Sequence, residues 1–385
     1  MNNSKKILDI IVIGFATFAM YFGAGNIAFP INIGCTSGYN NIYAMLGMIF
    51  TAVFVPFLGL MSMLIIEGDY KKFFGLLGKI PGFLVAILIM GLIGPFGATP
   101  RCIALSYTTF NLYMTDISSI EFGIIGSCII FILSFKKTYI MNILGKVLTP
   151  LLLISLTVII FMGLKATYNM PYGDSQYNNI YTAFSVGIHE GYNTMDLFAS
   201  FFFSIIIFPS IKKNITKSNP IEIFKFSIFA IFISMILLTT IYYSMSFISA
   251  HDLPALREVE LSKQLGIIAT QFLGNNSSVF ANLIVSLACL TTAITLVVIF
   301  SEFIRTEIFM KKVPYWPILL ITIIISFLMG QLGFTGIVRK LKPILFILYP
   351  MLITLSIGNI LKVFFNFRFS GFIAYFVFFI SIIFN

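Results

Sequence analysis

Two short polar interruptions sit inside long apolar runs, and both combine residue types able to hold an ion or a small zwitterion. The first is Phe22-Gly23-Ala24-Gly25-Asn26-Ile27-Ala28-Phe29-Pro30. In a helix interior each glycine costs about 1 kcal/mol relative to alanine, and asparagine several tenths. In an apolar medium the opened turn also strands backbone N–H and C=O groups that no water can reach. Such an opening persists where it lines a cavity whose polar occupant takes over those hydrogen bonds. The amides of Gly25 and Asn26 would begin a new half-helix, whose partial positive end suits a carboxylate. The preceding half-helix ends near Ala19 to Phe22, where free carbonyls can face a small cation. A glycine notch for helix packing is the plainer alternative, but Asn26 and Pro30 exceed that pattern.

The second interruption is Gly187-Ile188-His189-Glu190-Gly191-Tyr192-Asn193-Thr194-Met195-Asp196, ahead of an apolar segment. Carboxylates inside a membrane are costly enough to signal function, and Glu190 and Asp196 bracket this break. Asp196 either faces a substrate ammonium or caps the half-helix that follows. A third set, Ala288-Cys289-Leu290-Thr291-Thr292, places two hydroxyls in an apolar span. Ala288 and Thr292 share a helix face with Thr291 beside them. Hydroxyls with a backbone carbonyl are neutral oxygen ligands suited to Na⁺, although threonines often bond their own preceding turn instead. The segment from Gly91 to Arg101 carries glycines and prolines that allow a kink. Phe96 there is a candidate wall for an apolar side chain. Arg101 lies toward the outer side, as a gate or as a charge snorkelling to the headgroups. Neither His189 nor His251 stands in an HExxH pattern and no Walker loop is present, so enzyme chemistry is not indicated.

The composition names the medium in which these groups must be positioned. Of 385 residues, 59% are hydrophobic and 10% charged, with a mean hydropathy of +1.01, whereas soluble domains carry roughly 25% charge. The chain is read as an integral membrane protein of all-α class in one domain, residues 1–385. Apolar runs fall near 8–33, 42–66, 82–110, 118–135, 139–163, 178–210, 224–249, 276–303, 315–330, 337–361 and 369–384. These predict about eleven transmembrane helices. Lys5 and Lys6 precede a run too long for a signal peptide, which predicts a retained first helix. The net charge of +10 lies in short clusters between runs, which are topology signals rather than a nucleic-acid surface. With the N-terminus cytoplasmic, 17 lysines and arginines fall to inside segments and six to outside ones. Arg339, Lys340 and Lys342 run against that rule and blur the start of the tenth helix. The four scattered cysteines lack metal-ligand spacing and are expected to be small buried hydrophobes.

Five helices separate the two breaks, so helices one and six run in opposite directions. That is the pattern of a five-plus-five inverted repeat, with repeat one about 7–163, repeat two about 178–361 and an extra helix about 369–384. Paired discontinuous helices in the two halves mark the midplane site of a secondary transporter.

The stretches Phe22 to Pro30, Gly94-Pro95-Phe96-Gly97-Ala98-Thr99-Pro100-Arg101, Gly191 to Asp196 and Ala288 to Thr292 closely resemble the bacterial branched-chain amino acid:cation symporter family. The likeness runs from about Ile7 to at least Pro350. It implies the inverted-repeat fold of the bacterial leucine transporter. It also implies import of leucine, isoleucine or valine with Na⁺ across a bacterial inner membrane, with no other cofactor. By the same resemblance Na⁺ sits where the backbone of Ala19 and Phe22 meets Ala288, Thr291 and Thr292. The substrate carboxylate lies on the backbone of Gly23, Ala24, Gly25 and Asn26. Its ammonium lies near Gly191, Tyr192, Asn193 and Thr194. Lys146 on helix five is either a titrating ammonium in place of Na⁺ or a snorkelling surface charge. Proton coupling and exchange are the nearest alternatives, and a channel or an embedded enzyme the more distant ones.

Overall fold

The apolar runs become helices in a computed structural model, which describes residues 3–135, 144–214, 220–251, 253, 256, 259–274, 277–365 and 371–384. No strand occurs among them beyond an isolated bridge between Tyr172 and His251. Where the sequence interrupts a run, the helix is interrupted too. The first run gives α1 (Asn3–Tyr21) and α2 (Ala24–Ser37), parted at Phe22 and Gly23. After Gly38, whose φ of 45° ends α2, come α3 (Asn41–Ile49), a π-helical turn and α4 (Val55–Leu64). A short α5 (Tyr70–Phe74) leads to α6 (Lys79–Ile93) and α7 (Ala98–Asn111), which the Gly94–Gly97 turn divides. Then follow α8 (Ser119–Ser134) and α9 (Thr149–Thr167). The second broken run gives α10 (Ile180–Asn193) and α11 (Asp196–Lys212), bent by 41°. The remainder is α12 (Pro220–Ser249), α13 (Gln264–Leu273), α14 (Ser277–Phe303), α15 (Tyr315–Gly330), α16 (Phe334–Phe365) and α17 (Gly371–Phe384).

Among the described residues six helical stretches are long and apolar enough to cross a membrane, or seven when the bent pair counts as one. Four further apolar helices, α1, α8, α15 and α17, occupy other predicted runs but are shorter. The predicted fifth run begins at residue 139, and its part up to residue 143 lies outside the described residues. The short α13 matches no predicted run, because ten residues between Lys263 and Gly274 (φ 53°) are too few to span a bilayer. The tenth helix starts at Phe334, earlier than its predicted start, so Arg339, Lys340 and Lys342 lie within α16. Lys342 there reaches Glu190 of α10 at 3.6 Å, which gives one of the misplaced charges a partner.

The two halves pack in mirrored fashion. Both pieces of the first broken helix lie along α12, the second helix of the other half. Both pieces of the second broken helix lie along α3 and α4, the second helix of the first half. The α10–α3 crossing is close because Gly187 and Gly47 face the partner backbone: a Cβ on Gly187 would sit 1.9 Å from the Ala44 carbonyl oxygen. Without a hydrophobic drive between helices in lipid, such backbone approach is what holds a bundle together. α14 is the most enclosed span, whereas α9 and α12 keep most of their surface outside the packed interior. The cysteines divide: Cys102 and Cys289 are buried, Cys35 is half-buried, and Cys128 is exposed on the outward face of α8, contrary to its expected burial.

Candidate functional site

Asn26 organises the first break. It stands third in α2, close enough for its Oδ1 to accept the Gly23 N–H at 3.1 Å, so the exposed turn is capped by its own chain. Its Nδ2 donates to Asp196 Oδ2 at 2.6 Å and to the Tyr242 hydroxyl. One buried amide thus joins the first break, the second break and α12. Gly23 is extended (φ −123°, ψ −158°), and a Cβ there would lie 2.8 Å from Thr292 Oγ1. Only glycine lets α14 approach the break this closely. Thr292 Oγ1 donates to the Met20 carbonyl at 3.3 Å, and Thr291 Oγ1 to the Ala288 carbonyl at 2.9 Å.

The second break is built differently. Met195 takes a left-handed conformation, φ 65° and ψ 15°, that non-glycine residues rarely adopt. Thr194 Oγ1 closes back on the Gly191 carbonyl at 2.9 Å. The remaining carbonyls at this helix end are met from outside. Arg101 of α7 donates through Nη1 to Asn193 O at 2.7 Å and through Nη2 to Thr194 O at 3.4 Å. Arg101 is 2% exposed. Snorkelling to the headgroups is therefore not its arrangement: the Gly94–Gly97 turn directs α7 so that Arg101 points into the bundle, onto the negative end of α10.

These segments enclose a small cavity of about 20 Å³, on the order of one water molecule. Its polar lining comes from Gly25, Asn26, Arg101, Thr194, Asp196 and Thr292, and Gly23 and Ala24 also border it. Its apolar wall comes from Ile93, Ala98, Ala199, Phe203 and Leu296. The apolar set carries no motif of its own, although spacing marks it. Ala199 and Phe203 follow Asp196 at intervals of three and seven, and Leu296 follows Thr292 at four, which is one helix face in each case. Tyr242 carried no such signal. Several buried polar atoms at or beside the breaks have no hydrogen-bond partner: Tyr21 Oη, Arg101 Nε, Asn193 Oδ1 and Tyr349 Oη.

Other sequence-predicted residues lie elsewhere. Phe96 does not line the cavity; it is 47% exposed, turned outward by the same Gly94–Gly97 turn that brings Arg101 inward. Gly191 faces Thr51, whose Oγ1 would lie 1.9 Å from an added Cβ, so its surroundings are a helix-packing contact. Tyr192 packs against Tyr349 at 4.4 Å between ring centroids and against Phe346. Asn193 contributes its carbonyl, while its Nδ2 donates to Glu190 Oε2 at 3.0 Å. Ala19, Phe22, Ala288 and Thr291 are buried but do not border the cavity. The helix-one carbonyl that Thr292 reaches is that of Met20, between them. Lys146, in a π-helical turn before α9, has an exposed side chain and takes no place among these groups. Three residues on, Thr149 turns to α1 and donates to the Phe15 carbonyl at 3.3 Å.

Comparison with known proteins bears on the family and the fold. The family model described as branched-chain amino acid transport protein matches residues 6–384. A Staphylococcus epidermidis protein described as a branched-chain amino acid carrier is 32% identical over 365 residues, covering 89% of this chain and 80% of the relative. A counterpart in Staphylococcus aureus strain USA300 is 33% identical over 368 residues, with the same coverage. Among solved structures, the chain is similar to a nucleobase-cation-symport-1 family transporter in a closed conformation with bromovinylhydantoin bound. The TM-score is 0.65 at 14% identity, covering 92% of this chain and 78% of that one. A substrate-bound, outward-open Na⁺-coupled sialic acid symporter gives 0.60 at 10% identity, covering 97% and 87%. At these identities the likeness establishes the leucine-transporter-like fold.

Proposed function

The chain belongs to the branched-chain amino acid transport protein family, and from that premise we propose that it imports leucine, isoleucine and valine together with Na⁺ by alternating access. The observation that carries this reading is the convergence of two oppositely directed helix breaks on one cavity, joined by the Asn26–Asp196 bond at 2.6 Å. Helix ends of opposite polarity at mid-membrane suit a zwitterion with a coupling ion. In this reading the substrate carboxylate meets the amide end of α2, Gly23 to Asn26. The ammonium meets Asp196 and the Thr194 region, and the branched side chain lies against Ile93, Ala199, Phe203 and Leu296. Na⁺ is held by the carbonyls of Ala19, Phe22 and Ala288 with the hydroxyls of Thr291 and Thr292. The proximity of Thr292 to Gly23 and Met20 supports that placement, since a cation there needs only to displace a weak 3.3 Å hydrogen bond.

The broken helices α1/α2 and α10/α11 form the moving element, and α7 and α14 the scaffold. Ligands that touch both bodies favour the closed state by their differential affinity for it. The protein resides in the bacterial inner membrane with its N-terminus cytoplasmic, and loss of Na⁺ to the cytoplasm releases the amino acid. A proton-coupled version uses the same cavity, with the buried Asp196 in place of the Na⁺ ligands. Radiolabelled leucine uptake into proteoliposomes under an imposed Na⁺ or proton gradient separates the two. The Na⁺ reading expects uphill uptake with inward Na⁺ alone, and loss of Na⁺ stimulation in the Thr291→Ala/Thr292→Ala double variant. Undiminished Na⁺ dependence in that variant removes the hydroxyls from the site, and uptake driven only by protons replaces Na⁺ as the coupling ion.

A further inference from the structure

Arg101 is the most costly group in the cavity, and nothing in the function proposed so far uses its charge. It is 2% exposed, with two of its donors on the carbonyls of Asn193 and Thr194. Its Nε has no hydrogen-bond partner, and no carboxylate lies within ion-pair distance of it among the described residues. A buried guanidinium that bonds only neutral carbonyls has no carboxylate among its hydrogen-bond partners, and removing such a group from water costs several kcal/mol. Its surroundings are selective about what can complete it. The cavity is closed to about 20 Å³ and must widen to admit a substrate, and its apolar wall of Ile93, Ala199, Phe203 and Leu296 disfavours a large polar anion. Gly25 and Asn26, in the first turn of α2, border the same space, whereas the Gly23 N–H is already taken by Asn26 Oδ1. Asp196 is the cavity's single carboxylate and is engaged by Asn26. The cavity therefore offers one guanidinium and one carboxyl group, partners for the two ends of an amino acid.

We propose that Arg101 is the substrate-carboxylate anchor: its free Nε–H, with the amides at the start of α2, receives the carboxylate of a short apolar amino acid. This rests on the transport reading above and adds to it a side chain from the scaffold. It also gives Arg101 a role in closure, because the same guanidinium grips the carbonyl end of α10. A substrate on Nε then links α7 to both broken helices at once. Planar, always charged and forked, guanidinium suits this task better than ammonium.

The test compares leucine with leucinol, in which the carboxylate is replaced by a neutral hydroxymethyl group, by equilibrium binding to the purified full chain. Wild-type protein is expected to prefer leucine by about 10- to 100-fold, the range for a charge-assisted hydrogen bond. Arg101→Gln should weaken leucine by about 10- to 100-fold more than it weakens leucinol, so that the preference collapses. Arg101→Lys, which keeps the charge without the fork, should retain part of it and serves if the Gln variant is not recovered folded. A preference that survives in both variants, with leucine and leucinol weakened equally, makes Arg101 a structural tie only and overturns the proposal while leaving transport intact. Wild-type protein that binds leucinol as tightly as leucine overturns it without any variant. Wild-type protein that binds no branched-chain amino acid removes the transport reading, and this proposal with it.

Discussion

The two helix breaks solve one physical problem in opposite ways. At the first, the chain supplies its own remedy: glycine takes an extended conformation, and Asn26 three residues on accepts the Gly23 N–H. At the second, a non-glycine residue, Met195, is held left-handed, and the carbonyls of Asn193 and Thr194 are met by Arg101, some 90 residues earlier in the chain. The first break is locally encoded and presents amides, a donor end. The second is imposed by tertiary contacts and presents carbonyls, an acceptor end already occupied by a cation. A transporter with this asymmetry has one helix end open to an incoming anion and one end whose charge is set by the scaffold.

Breaking the link between the two should have the largest effect. Asn26→Ala removes the cap on Gly23 and the donor to both Asp196 and Tyr242. With each buried group left unpaired costing about 1–3 kcal/mol, leucine uptake should be lost and the melting temperature should fall clearly. Uptake near wild type would mean that the breaks function independently. Next comes Gly23→Ala, whose Cβ would press on Thr292 Oγ1. It should push α14 away from the break and, if Na⁺ is the coupling ion proposed above, weaken its activation of uptake by about tenfold or more, with smaller loss of thermal stability, as expected for overpacking of about 1–3 kcal/mol. At the second break two effects oppose each other. Met195→Gly relieves a left-handed conformation costing about 1–2 kcal/mol but empties the site of a side chain that is 1% exposed, at a cost of about 2–5 kcal/mol, so the variant should melt below the wild-type temperature. A melting temperature at or above wild type would show that backbone strain, not side-chain packing, dominates at this turn. The smallest effect is expected for Lys342→Ala. Its pair with Glu190 is 3.6 Å long and the lysine side chain is 45% exposed, so stability should change by less than about 1 kcal/mol. Uptake should stay within about twofold.

Much of this architecture was legible in the residues. The first break could be read because its causes, Gly23, Gly25 and Asn26, are adjacent and act on their own backbone. The opposite direction of the second break followed from counting apolar runs. Phe96 and Arg101 show where such reading stops. Phe96 lies in a glycine-rich turn and Arg101 in the first residues of the helix after it, and helical periodicity does not tell which way a chain leaves four irregular residues. The phenylalanine turns out to the surface and the arginine in. Gly191 was ambiguous for a related reason: a glycine needed for packing on Thr51 has the same sequence appearance as one needed for a ligand.

The sequence by itself determined the medium, the order of the helices and the places where they open. Those follow from composition and local backbone cost, which neighbouring residues settle. The tertiary structure alone decided that Tyr242 and Asp196 share the Asn26 amide, that Thr292 stands against Gly23, and that Arg101 closes the end of α10. These depend on contacts across 92 to 272 residues of chain. They are fixed only when helices from both halves pack together, because no single segment holds both partners.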